Sequence, residues 1–188
     1  MKIKLGLAIM FTLVSALATS SYSQQQETNC PMHQKHQEDK SKSTAASGAD
    51  HSERHAEMNR RGDQGMGFSQ AKTTHHFLLK RDGGSIEVEA NNSSDQASRD
   101  QIRQHLARIA QMFTEGNFET PMFVHAQTPP GVPAMKQFSS EIKYEFEKTE
   151  RGGRVRIRTS NAEALEAIHQ FLRFQIEEHR TGDPLEAS

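Results

Sequence analysis

The sequence predicts an α+β domain built from two ββα units, forming a four-stranded antiparallel sheet with two helices on one face. Three observations lead there. Apolar and polar residues alternate twice at strand period, first over Ser85 to Ala90 and again over Ile142 to Glu147. Each alternating stretch adjoins a glycine pair, Gly83-Gly84 or Gly152-Gly153. Each pair of strands is followed by an apolar stripe at helical spacing.

The first hairpin joins Phe77-Leu78-Leu79 to Ile86, Val88 and Ala90. With the turn placed on Gly83-Gly84, Lys80 is expected opposite Glu87 on an outer face and Leu79 opposite Val88 on an inner one. His75 then shares the inner face with Phe77, and His76 points outward. The second hairpin pairs Ile142, Tyr144 and Phe146 with Val155 and Ile157. A turn on Gly152-Gly153 sets Glu147 against Arg158.

The first helix carries Ile102, Leu106, Ile109 and Phe113, is capped by Asp95 or Ser98, and ends at Gly116. The second runs from about Ala162 to His179 with Leu165, Ile168, Leu172 and Ile176 on one face, and stops by Gly182. Gly83-Gly84 aligns with Gly152-Gly153, and Ile102, Leu106 and Gly116 align with Ile168, Leu172 and Gly182, as a duplicated unit would. Residues 117–140 connect the copies and hold four prolines, so no long helix fits there. A connection this long inside a small domain is often functional.

The chain has 188 residues and a formal net charge of −1, which gives no electrostatic bias towards nucleic acid. Residues 1–23 read as a secretory leader, with Lys2 and Lys4 ahead of the apolar run Leu5 to Leu17, so a periplasmic or secreted location is expected. That run is short for a spanning helix, and no later stretch is apolar enough to cross a membrane. Residues 24–65 hold few large aliphatic side chains and read as a disordered, His-, Gln- and Ser-rich tail, with a short helix allowed near Ala49 to Asn59. The domain is expected over residues 66–184.

Histidine and methionine usage is the chemical cue, with ten His and eight Met. Imidazole and thioether suit copper, and Cys with Met favours Cu(I). In the tail, Cys30, Met32, His33 and His36 place four donors within seven residues, and His51 and His55 fall on one face of a helix. In the domain, His75, His76, His105, His125 and His169 are the second candidate ligand set, with Met112, Met122 and Met135 nearby. Each histidine taken singly is more simply structural. Their convergence under the proline-rich connection is the functional hypothesis. His179 is read as complementing the dipole at its helix end. A single cysteine excludes an attached c-type haem.

Two resemblances add to this. Cys30-Pro31-Met32-His33 resembles the short heavy-metal-binding motif of bacterial copper-efflux ATPases and efflux-pump adaptors, although Gln34 stands where those have proline. The resemblance covers four residues and implies that Cys30, Met32 and His33 are metal ligands. The stretches Thr73-Thr74-His75-His76-Phe77, Pro121-Met122-Phe123-Val124-His125, Pro129-Pro130-Gly131-Val132-Pro133 and Phe171-Leu172-Arg173-Phe174-Gln175-Ile176, with Gly65 to Gln70, resemble a sparsely characterised family of small secreted bacterial proteins. That likeness spans about residues 58–184 and implies no activity.

The reading is an exported metal-binding protein, with copper the expected ion, acting in tolerance, storage or delivery. The alternative is a metal-independent ligand-binding or sensor module using a pocket under the connection. A small hydrolase comes third, because no G-x-S-x-G, H-E-x-x-H, P-loop or dinucleotide motif is present. The charged outer sheet face reads as a solvated, salt-laced surface, with a protein partner as the functional alternative.

Overall fold

The computed structural model describes residues 52–188. The leader, the Cys30, Met32, His33 and His36 group and His51 lie outside the described residues. The elements are helix α1 over residues 52–66, then strands β1 (Thr73–Lys80) and β2 (Gly83–Ala90), followed by helices α2 (Gln96–Thr114), α3 (Glu119–His125) and α4 (Val132–Gln137). Strands β3 (Ile142–Lys148) and β4 (Gly152–Thr159) and helix α5 (Ala162–His179) complete the order. The four strands form one antiparallel sheet in the order β1-β2-β4-β3. Helices α2 and α5 cover one of its faces, so the expected class and layering hold.

The two units interlock. Helix α2, from the first copy, packs chiefly on β3 and β4 of the second, and α5 packs on β1 of the first. The glycine pairs explain how. A Cβ on Gly84 would overlap the Leu172 side chain of α5, and one on Gly153 would stand 2.8 Å from Phe146 of its own hairpin and 3.3 Å from Leu106 of α2. Leu106 and Leu172 are the residues that align in the two copies. Each helix therefore reaches the glycine of the other hairpin, and glycine is needed for that close approach rather than for a turn.

This corrects both registers. The turn of the first hairpin is Arg81-Asp82, which pairs Lys80 with Gly83, Leu79 with Gly84 and His76 with Glu87. In the second, Lys148 pairs with Gly153 and Glu147 with Arg154. The pairs Lys80–Glu87, Leu79–Val88 and Glu147–Arg158 do not form. The displacement is an even number of residues, so no side chain changes face. Outward charges still meet opposite charges. Arg154 bridges Glu147 at 2.9 Å and Glu87 at 3.3 Å, Arg156 meets Asp82 at 2.6 Å, and Arg158 pairs with Glu145.

Between sheet and helices lie Val88, Val155 and Ile157 from the strands, and Ile102, Phe113, Ile168 and Phe171 from the helices, all nearly inaccessible. Each such side chain contributes about 1.5–3 kcal/mol of burial. Asp95 caps α2 by accepting from the Ser98 N–H at 3.0 Å, and Asn161 caps α5.

Two segments differ from expectation. The 117–140 connection folds as α3 and α4, separated by left-handed residues Ala126 and Gly131. Gly131 sits where a Cβ would overlap the Ala167 carbonyl of α5. In the tail expected to be disordered up to residue 65, residues 52–66 are helical and attached. Met58 is 3% exposed. Arg61 Nε donates to the Val124 carbonyl at 2.9 Å, and Gln70 Nε2 donates to that of Asn59 at 2.9 Å. Buried Met58, Met66 packed against the core and polar anchors through Arg61, Gln70 and Arg108 hold α1, a pattern too sparse to register as an apolar stripe.

Candidate functional site

Helices α1, α3 and α5 meet the inner end of β1, and each brings a histidine. His55 comes from α1, His75 from β1, His125 from the last turn of α3 and His179 from the last residue of α5. The His75 and His179 rings are stacked, with centroids 5.8 Å apart and planes 10° from parallel. His125 meets His179 edge-on at 5.1 Å. His105, from α2, stands edge-on to Phe68 at 5.5 Å, and Phe68 stacks on His75 at 6.1 Å. Phe77 and Phe174 complete the aromatic surround.

The inner ends of these rings border a narrow cavity of about 70 Å³ beneath α3. His75, His105, His125 and His179 line it together with Met66, Gln175 and core apolar side chains. Outside it lie two surface clefts. One, of about 480 Å³, is shared by His55, His125 and Glu178. The other, of about 460 Å³, is shared by His55, His75 and His179. The histidine group thus stands between solvent-filled clefts and an apolar interior.

Burial keeps the four cavity imidazoles, His75, His105, His125 and His179, neutral. Desolvation, with a smaller push from His76, lowers the pKa of His75 from 6.5 to about 4. His105 falls to about 4 through desolvation, then Arg108 and His75. His179 lies well below its ordinary value through desolvation, then His75, His125 and His55, so all three neighbours act on it. His125 is also lowered by desolvation, against the opposing influence of Gln175 and Glu178.

Four of these histidines each keep one ring nitrogen without a partner. His55 Nε2, His75 Nε2, His105 Nδ1 and His125 Nδ1 are buried without a hydrogen bond. For His125 the tautomer follows from its neighbour. Gln175 Oε1 can only accept, so His125 Nε2 donates to it at 2.9 Å and the lone pair is left on Nδ1. The nearest carboxylate oxygen to Nδ1, on Glu178, is 3.9 Å away.

Of the expected domain ligands, His75, His105 and His125 come together and His76 and His169 do not join them. His169 Nε2 donates to the carbonyls of Lys80 (2.9 Å) and Gly83 (3.1 Å), fixing the first hairpin turn. His76 pairs with Asp183 at 2.9 Å, beyond the edge strand and away from the cavity and both clefts. Asp183 also accepts from the Phe77 N–H at 2.9 Å, and its carboxyl stays below its ordinary range because Thr181, His76 and that N–H together outweigh desolvation. Of the methionines, Met112 lies against the core and Met135 is fully buried in it.

His179 is the main residue missed. It ends α5, as expected of a residue facing the dipole, but its ring turns inward. Its signal was the run Phe171, Leu172, Gln175, Ile176, which continues by helical spacing to His179. Among the described residues, no three His, Cys, Asp or Glu side chains form a ready-made metal-coordinating arrangement. No protein-family model matches the chain, and comparison with curated proteins and with solved structures likewise found no match.

Proposed function

We propose that this is an exported metal-binding protein whose domain takes copper(I) on His75, His125 and His179, with His55 on the outer side. The observation that carries the reading is the convergence of His55, His75, His125 and His179 from four elements, the first three each with a buried, unpartnered nitrogen. An unsatisfied buried polar atom costs about 1–3 kcal/mol, and several in one place call for a partner.

The donor chemistry favours a soft, singly charged ion. The imidazoles of His75, His125 and His179 are neutral at physiological pH, so an arriving ion displaces no proton from them. Met66 on the cavity wall and Met58 at the outer cleft supply thioethers nearby, and the cavity side of the group is apolar. One positive charge is far cheaper to desolvate than two, because the cost rises with the square of the charge. Spacing agrees with this. Imidazoles whose nitrogens lie about 2 Å from a shared ion have ring centres roughly 5–5.5 Å apart, beside the observed 5.1 and 5.8 Å. Ring rotation is then the adjustment that loading requires. Cys30, Met32, His33 and His36 would act as a first capture site that passes the ion inward, and the leader would place the protein where copper is met.

The test is an anaerobic Cu(I) titration against a chromogenic chelator. Three proteins are compared: the full chain, one lacking residues 24–50 so that α1 is kept, and the double variant His125→Phe/His179→Phe. Tight binding that survives removal of residues 24–50 but falls at least a hundredfold in the double variant is expected. Binding that disappears with residues 24–50, or is unchanged in the double variant, would overturn the proposal.

A further inference from the structure

The cavity beneath α3 has a feature the metal reading does not use. Gln175 is 4% exposed and borders the cavity. Its Oε1 is taken by His125, while its Nε2, with two N–H donors, has no partner. Apart from Thr120 and the four histidines, the rest of the wall is apolar, formed by side chains such as Phe77, Val88, Leu106, Phe113 and Phe171. Among the described residues no Asp, Glu, Lys or Arg lines it.

We infer that this cavity is a binding site for a small uncharged molecule of about four heavy atoms that carries one hydrogen-bond acceptor, received by Gln175 Nε2. Size sets the class. About 70 Å³ is roughly half of an engineered apolar cavity that admits benzene, on the order of 150 Å³. A single water needs only about 10–15 Å³ in such a measure, so one water on Gln175 would leave most of the apolar wall uncovered. An organic ion does not fit, because no Asp, Glu, Lys or Arg in the wall would compensate its desolvation. Small ketones, aldehydes, ethers and alcohols belong to the class that fits. The inference does not depend on copper, since the site exists in the metal-free protein.

The experiment uses metal-free protein with labelled methyl groups, titrated with acetone and with xenon. Both are expected to shift the same cavity methyls, those of Leu106, Ile109 and Val124, and to compete. Gln175→Leu and Gln175→Met should weaken acetone about three- to tenfold, the worth of one hydrogen bond, without weakening xenon. Xenon binding reports an intact cavity in each variant, and the two replacements fill the space differently, so one folded variant suffices. Acetone that leaves those methyls unmoved, or that binds equally well to the wild type and a xenon-binding variant, would overturn the inference.

Discussion

His169 and His125 are both buried, at 8% and 7% exposure, and both face the layer between sheet and helices, yet their nitrogens are used in opposite ways. His169 Nε2 is shared between two turn carbonyls. His125 has one nitrogen fixed by Gln175 and the other left bare. The same division separates His76, tied to Asp183, from His75, its neighbour in sequence, whose Nε2 meets nothing. Histidines that hold the fold are satisfied by the fold. Those around the cavity cost the fold stability, which points to a purpose outside it.

The largest expected consequence is acid sensitivity. The cavity histidines have folded pKa values below the unfolded 6.5, so below pH 6.5 the unfolded chain binds more protons. Stability is therefore full above pH 6.5 and falls as pH drops towards 4. The slope is about 1.4 kcal/mol per pH unit for each such histidine. His75 and His105 together would cost the fold roughly 6 kcal/mol by pH 4. Urea unfolding at pH 7.5, 6.0 and 5.0 measures this, and a flat profile would break the distinction between the two groups.

His169→Ala comes next. It strips the donor from two carbonyls and opens a void, and should destabilise by about 2–3 kcal/mol, read as a lower urea midpoint at constant slope. Asp183→Ala removes three contacts at the half-open edge of β1 and should cost about 1–2 kcal/mol. The smallest effect belongs to the cavity. His105→Leu removes an orphaned nitrogen at similar volume, and thermal unfolding should show it neutral or up to about 1 kcal/mol more stable. If it destabilised as much as His169→Ala, the comparison would fail.

Copper affinity sharpens the contrast further. A histidine of ordinary pKa loses about fourfold in availability between pH 7.5 and 6.0. The cavity imidazoles are already neutral across that range. Cu(I) affinity of the protein lacking residues 24–50 should therefore change less than about twofold over that interval, whereas a site of ordinary histidines should weaken about fourfold per ligand.

Much of the scaffold was legible because it is local. The stripe Ile102, Leu106, Ile109, Phe113 and the cap at Asp95 depend only on neighbours along the chain. The faces of the strands were readable for the same reason. The registers were not, because Gly84 and Gly153 answer to Leu172 and Leu106 from the opposite unit, and sequence spacing alone favours a turn. The site divides likewise. His75, His105 and His125 stood out as histidines beside apolar residues. His55 and His179 were passed over because their places are set by α1 docking and by the far end of α5, contacts that no window of sequence contains. The inner position of Gln175 was open to reading, but not the unpartnered state of its amide.

We propose that the imidazoles of the domain hold the copper ion. X-ray absorption on Cu(I)-loaded protein lacking residues 24–50 tests it most directly. At least two imidazole nitrogens at about 2 Å, with their outer-ring scattering, are expected, and they should be lost in His125→Phe/His179→Phe. A shell of sulfur alone at about 2.3 Å, or copper that is lost with residues 24–50, would contradict it.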